Sequence, residues 1–253
     1  MACYRVVTVA LSLSALIGSG CAQRPLPLME SYLGGSEGPG GRDVAAVQPE
    51  RAAGPFNVGL VLINDTKAQG SAPALSEKGK AFLADRVRER VQSMTAIHVQ
   101  AVLPSGIGAQ PQGQDALAKM ARESGQPYLL VALFSSAESE VPTYLPLTGD
   151  PEQGGSRPAI PGYEAVNYAL AELALIDAAT GRVVARSDGR AWTRLNRLNV
   201  PMQSNAYPVI HRSLRPAPIY PPEADAKDIM RSMAGDEALE QAVVRLQEAW
   251  PKS

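Results

Sequence analysis

The fold is decided by the sequence Tyr168-Ala-Leu-Ala-Glu-Leu-Ala-Leu-Ile-Asp177, then Ala178-Ala-Thr-Gly181, then Arg182-Val-Val-Ala-Arg-Ser-Asp-Gly-Arg-Ala-Trp192. The two outer segments have the length and apolar content of β-strands, and Gly181 suits the positive φ of a hairpin loop. In the second strand, period-two alternation places only small residues and one valine on one face. They are Val183, Ala185, Ser187, Gly189 and Ala191. This face can receive a helix at close range.

The other face of the second strand carries a row of arginines. Period two places Arg182, Arg186 and Arg190 there, with Val184 and Trp192 among them. Such a row could meet an anionic partner. It could also be a solubilising outer face, or pair with an acidic segment earlier in the chain. The candidate partner-binding residues are therefore Arg182, Arg186, Arg190 and Trp192.

Before the hairpin, the chain alternates between strand and helix patterns. The predicted strands are 58–63, 97–103 and 128–134, and the predicted helices are 76–93 and 115–124. The first and third strands are nearly continuous apolar runs, as in strands that are buried on both faces. Asn64-Asp65-Thr66 ends the first strand and predicts a turn, because such side chains bond the nearby backbone.

After the hairpin, the C-terminus returns to helix. Residues 224–234 form one predicted segment, and Asp236 can cap a second one that ends at Pro251. This helix is expected to cover the sheet face left bare by the others. The predicted fold is therefore α/β (α+β), a single domain over residues 56–253 in two or three layers. Its mixed sheet has about five strands, in the order β-α-β-α-β-β-β-α.

Two proline-rich insertions interrupt this order. Residues 138–164 hold five prolines and four glycines and are acidic, and residues 193–222 hold six prolines and several arginines. Long irregular segments inside a compact domain are usually functional or disordered. We expect both to be loops, with the second lying on the domain because it also carries apolar and aromatic residues.

The N-terminus has the layout of a secretory signal. An uncharged apolar run from Val6 to Ile17 is too short to span a bilayer, and small residues lead from it to Cys21. This arrangement resembles the lipobox of bacterial lipoproteins, which implies a signal peptide over 1–20 and a lipid on Cys21. Ala22 at the next position implies sorting to the outer membrane, facing the periplasm. An ordinary signal peptide with an incidental cysteine is the alternative.

Residues 21–55 are predicted to be a flexible tether, because their glycines and prolines disfavour regular structure. A coil of about 30 residues reaches about 30 Å on average. Within it lies a denser apolar patch: Leu26, Leu28, Met29, Tyr32 and Leu33. The patch could dock on the domain or on a partner, but a disordered tether is the favoured interpretation.

Composition argues against several kinds of chemistry. Two histidines and two cysteines, one of them in the signal peptide, argue against a metal site or a catalytic thiol. Motifs for acyl hydrolysis, zinc proteolysis and phosphate binding are missing from the sequence. A net charge of −1 gives no general attraction to nucleic acid. We therefore expect a protein that is not an enzyme and that has no cofactor apart from the covalent lipid.

The order of elements, Asn64-Asp-Thr66 after the first strand, and the hairpin Glu172 to Val184 together are similar to a group of envelope lipoproteins and a related domain. The group comprises the activator lipoproteins of penicillin-binding proteins, the curli-secretion lipoprotein and the N-terminal domain of TolB. The resemblance implies a non-enzymatic binding or accessory module for an envelope protein complex. An oligomeric secretion or assembly accessory is the first alternative, and a hydrolase of an envelope polymer is the second.

Overall fold

The computed structural model describes residues 24–34, 56–68, 70–103, 113–146, 159–200 and 204–249. These residues form a mixed α/β domain with one six-stranded sheet. The strands are β1 (Phe56–Asp65), β2 (Ile97–Leu103), β3 (Tyr128–Pro146), β4 (Ala159–Asp177), β5 (Val183–Leu198) and β6 (Val209–Arg212). The helices are α1 (Met29–Leu33), α2 (Glu77–Met94), α3 (Gly113–Glu123) and α4 (Ala226–Ala249), with a 3-10 turn at Glu223–Asp225.

The sheet order is β2-β1-β3-β4-β5-β6, with β1 parallel to β2 and β3 and the remaining pairs antiparallel. Helices α2 and α4 pack on one face, and α1 and α3 on the other, giving three layers. The described residues thus confirm the predicted fold class, with six strands instead of about five. The apolar runs in β1 and β3 are buried on both faces, as their composition predicts.

Helix α4 lies directly against the small-residue face of β5. A Cβ added to Gly189 would stand 2.1 Å from the carbonyl oxygen of Ala238 and 2.5 Å from the backbone nitrogen of Ala242. Glycine is therefore required here by close approach of the backbone of α4. The prediction that this face receives a helix is confirmed.

The predicted break in the C-terminal helix is wrong. Helix α4 runs unbroken through Gly235 and Asp236. Asp236 caps no helix; its carboxylate accepts hydrogen bonds from Arg90 of α2, the shortest at 2.8 Å. Aspartate has a low helix propensity, which costs little free energy at one position. The salt bridge between Asp236 and Arg90 joins two packed helices and outweighs that cost.

The prediction that 138–164 is a loop is also wrong for the part that the structure describes. Strands β3 and β4 stay paired from Tyr128 opposite Asp177 to Pro146 opposite Ala159. Pro142 is tolerated because β1 ends at Asp65, which leaves this part of β3 at the sheet edge. An edge strand can hold proline where the N–H group would point outward.

The segment 193–222 is likewise more regular than predicted. Strand β5 continues to Leu198, and β6 pairs with its residues from Thr193 to Asn196. Ile219 forms a further bridge to Ile210 of β6. The prolines in the segment lie outside β5 and β6, so the ladder between these strands loses no hydrogen-bond donor.

The N-terminal segment 24–34 is ordered against the domain, which corrects the tether prediction for these residues. Met29, Tyr32 and Leu33 of α1 are buried against α3 and the sheet. The docked segment is more stable than a free coil, because docking removes three large apolar side chains from water. The signal sequence 1–20, Cys21 and residues 35–55 lie outside the described residues. No helix among the described residues is long and apolar enough to cross a membrane.

Candidate binding surfaces and the docked N-terminal segment

Glu172 on β4 holds the N-terminal segment in place. Its side chain lies in an otherwise apolar part of the strand and is only 6% exposed. The carboxylate accepts the backbone N–H of Leu28 at 2.8 Å and that of Met29 at 3.2 Å. The first N–H groups of a helix have no partner within the helix. The carboxylate and the start of α1 therefore satisfy each other.

The groups around Glu172 shift the pKa of its carboxyl group. Burial raises the pKa of this carboxyl, and the hydrogen bonds from Leu28 and Met29 oppose that effect. Asp188, directly opposite on β5, raises the pKa further, and Arg186 lowers it. Burial outweighs the opposing contacts, and the pKa lies above its ordinary value.

Glu172 and Asp188 form a neighbouring pair of carboxylates, the kind of pair that a polymer hydrolase needs. The pair does not face a cleft, because α1 covers Glu172 and the amides of Leu28 and Met29 occupy its carboxylate oxygens. Asp188 is bound by Arg245 of α4 at 3.1 Å. The contacts of Glu172 and Asp188 are therefore structural ones.

A second polar contact fixes the other end of α1. The hydroxyl of Tyr32 donates to the carboxylate of Asp65, at the end of β1. The other oxygen of Asp65 accepts the N–H of Lys67 at 2.9 Å, and Asn64 accepts the N–H of Leu75 at 3.0 Å. The predicted turn chemistry is thus confirmed for Asp65, whereas Asn64 lies within β1 and bonds backbone that is distant along the chain. Burial, with the bond to Asp65, raises the pKa of Tyr32 well above its ordinary value.

The predicted arginine row is divided by a β-bulge. Val184 is the extra residue, because Ile176 pairs with Val183 while Leu175 pairs with Ala185. Val184 therefore packs against the core beneath α2 and α4. The prediction that Val184 lies on the same face as the arginines is wrong.

The bulge also separates the arginines. Arg182 precedes β5 and is out of register with Arg186 and Arg190, which share a face with Trp192. Arg186 faces Glu30 of α1 at 3.6 Å.

Arg190 and Trp192 line a shallow pocket of about 170 Å³ that the N-terminal segment completes. The guanidinium of Arg24 stands 5.9 Å from the ring centre of Tyr168, and that of Arg194 stands 5.6 Å from the ring centre of Trp192. Both distances are those of cation–π contacts. We call Arg24, Tyr168, Arg190, Trp192 and Arg194 the Arg–Trp surface.

The continued β3–β4 hairpin is fixed to the rest of the domain by ion pairs. Glu138 of β3 meets Arg231 of α4 at 2.6 Å. Glu140 meets Arg197 of β5 at 2.6 Å and also accepts from Lys227 of α4. Burial alone would raise the pKa of Glu140, but these two cations outweigh it and the pKa lies below its ordinary value. Glu138 and Glu140, two acidic residues of the predicted insertion, thus fix the hairpin to the domain.

Beyond these ion pairs the hairpin presents exposed apolar side chains. Tyr144 is 74% exposed and Val141 49% exposed, on opposite faces of β3. Val200, just past β5, is also exposed. We call Val141, Tyr144 and Val200 the hairpin end. Within the described ranges, no group of three or more metal-ligating side chains comes together.

No protein-family model matches the chain, and no curated protein is significantly similar to it in sequence. Among solved structures, the chain is similar to the PelC dodecamer of Paraburkholderia phytofirmans, with 12% identity and a TM-score of 0.32. The match covers 77% of this chain and 88% of that chain. A second is the protein CT253 of Chlamydia trachomatis, with 14% identity, a TM-score of 0.35 and coverage of 76% and 99%. Similarity at this level carries no argument about function.

Proposed function

We propose that the protein is a lipoprotein of the outer membrane, anchored through lipid on Cys21 and facing the periplasm. Its α/β domain is a non-enzymatic binding module for a protein of the cell envelope. The apolar run that leads to Cys21 supports the anchor. The exposed hairpin end supports the binding role.

The observation that carries the binding role is the exposure of Tyr144 and Val141 on a rigid support. The two side chains are exposed on opposite faces of β3, in the outer described part of a hairpin whose stem is held by the pairs Glu138–Arg231 and Glu140–Arg197. Binding residues are often found on projecting segments that a rigid scaffold positions. Tyrosine is also enriched in the centres of protein interfaces. We therefore place the protein contact at the hairpin end.

The anchor is tested by labelling cells with radioactive palmitate. The chain should incorporate label and fractionate with membranes, and Cys21→Ser should abolish both. Cys3→Ser is the matched control, because Cys3 lies in the segment that is removed. Equal labelling of the Cys21→Ser chain would overturn the anchor.

The contact is tested by photo-crosslinking in intact cells with a benzophenone amino acid at position 144. A single adduct with one envelope protein is expected, and Val141→Ser in the same chain should weaken it. The same probe at position 244, an exposed valine of α4, is the control. Equal adducts from both positions, or none from position 144, would overturn the hairpin end as the contact.

The open edge of β5 favours a second candidate, an oligomeric assembly accessory. In the described part of the chain β6 pairs only with Thr193–Asn196 of β5, so the edge over 183–191 has no strand partner. An open edge can accept a strand from another copy. Sedimentation of the purified protein separates the two candidates: a monomer supports the binding module, and a defined oligomer supports the accessory.

A further inference from the structure

We infer that the Arg–Trp surface rests on the phospholipid headgroups of the membrane that holds Cys21. The inference rests on the proposed lipid attachment and names the part of the domain that meets the bilayer. It assigns Arg190 and Trp192 a lipid partner, and it leaves the hairpin end for the protein partner.

The few residues between Cys21 and Arg24 place the Arg–Trp surface close to the membrane. Arg24 lies three residues after Cys21, and three residues span at most about 11 Å when fully extended. Arg24 is itself placed over Tyr168, and four residues later Leu28 is bound to Glu172. A domain of roughly 200 residues has a radius of gyration of about 16 Å. An anchor this short cannot reach around the domain, so the bilayer meets the face that carries Arg24.

The surface has the composition of a membrane-contacting face. Trp192 is 36% exposed and lies on the same sheet face as Tyr168, and tryptophan and tyrosine favour the headgroup level of bilayers. Among the described residues Arg24 and Arg190 have no ion-pair partner. Guanidinium groups bind phosphate oxygens in a two-pronged geometry. Leu26, 74% exposed on the docked segment, adds an apolar side chain beside them.

The charge of the surface also suits anionic lipids. Its three arginines face one nearby carboxylate, Glu164, which lies 3.6 Å from Arg194. Asp188 is two residues before Arg190 on the same face, but Arg245 binds it. Elsewhere the arginines of the helices are engaged, as Arg90 is with Asp236 and Arg231 with Glu138. Among the described residues, Arg24 and Arg190 thus provide unpaired cations close to the proposed anchor.

The test uses the mature lipidated protein, reconstituted in vesicles of phosphatidylethanolamine and phosphatidylglycerol. The chain has two tryptophans, so Trp250→Phe leaves Trp192 as the only indole. Lipids brominated near the headgroup should quench its fluorescence at least about twofold. Arg24→Ser with Arg190→Ser should reduce that quenching. Arg88→Ser, on the exposed side of α2, should leave it unchanged.

The other outcomes overturn the inference in distinguishable ways. If the protein carries palmitate but brominated lipid does not quench Trp192, the anchor is correct and the proposed orientation of the domain is wrong. A chain that carries no palmitate and does not associate with vesicles removes the anchor and this inference together. Iodide that quenches Trp192 in vesicles but not in native membranes identifies a protein on this surface, and likewise overturns a lipid partner.

Discussion

The carboxylate of Glu172 accepts the backbone N–H of Leu28 at 2.8 Å, joining residues 144 positions apart. This contact sets where the N-terminal segment leaves the domain, because Leu28 immediately precedes α1. Replacing Glu172 with alanine should leave the amides at the start of α1 without an acceptor. We expect hydrogen exchange at 28–33 to become about tenfold faster, corresponding to a local loss of about 1.4 kcal/mol.

Exchange mass spectrometry measures this loss directly. Glu123→Ala on the exposed side of α3 is the control, since Glu123 makes only a surface pair with Lys119. Unchanged exchange at 28–33 in the Glu172→Ala chain would show that the apolar contacts of α1 suffice to hold it.

The raised pKa of Glu172 predicts a particular pH dependence. A carboxyl whose pKa is higher in the folded state contributes stability below its unfolded value of about 4.3, and loses it as pH rises through the folded value. The free energy of unfolding of the wild type, minus that of Glu172→Gln, should therefore fall as the pH rises from about 4 towards neutrality. Urea titrations across this range measure the difference. A difference that rises with pH would mean that the amides of Leu28 and Met29 outweigh burial.

Gly189→Ala should be strongly destabilising. The new methyl group would overlap the backbone of α4 at Ala238 and Ala242, and backbone cannot move aside as a side chain can. We expect a loss of about 3 kcal/mol in urea unfolding. Gly235→Ala is the comparison, because its Cβ would meet side chains and no backbone, Leu83 at 3.1 Å and Phe134 at 3.6 Å. Equal losses in the two variants would indicate that α4 can shift away from β5.

Arg231→Ala tests the support of the hairpin. It leaves the largely buried carboxylate of Glu138 with only Lys227, 3.9 Å away. Removing one partner of a buried pair should cost about 3 kcal/mol of unfolding free energy. The exposed pair Lys80–Glu77 is the control, and Glu77→Gln should change stability by less than about 0.5 kcal/mol. A loss no larger than the control would mean that the stem does not depend on this pair.

The central part of the fold was predictable because it follows local periodicity. The apolar runs of β1 and β3 predicted strands that are buried on both faces, and the small residues around Gly189 predicted a closely packed helix. Gly181 adopts the positive φ that is expected in the hairpin loop. Strands β3, β4 and β5 are longer than predicted, because the prolines of 138–164 and 193–222 favour loops in the sequence. Whether Pro142 ends a strand depends on which neighbour lies beside it, and this is a property of the assembled sheet.

The candidate sites were less predictable, because they depend on contacts distant in sequence. The signal for docking of α1 was Glu172, a single carboxylate in the apolar strand 168–177, which required a partner. Its partners are main-chain amides, which no sequence pattern identifies. The bulge at Val184 likewise has no marker in the sequence, and it separates Arg182 from Arg186 and Arg190.

The position of α1 has a mechanical consequence for an anchored chain. A pull on Cys21 would first load the bond between Glu172 and Leu28 and the bond between Tyr32 and Asp65. The docked segment 24–34 would thus carry the load between the proposed anchor and the sheet, and its detachment would require both contacts to break.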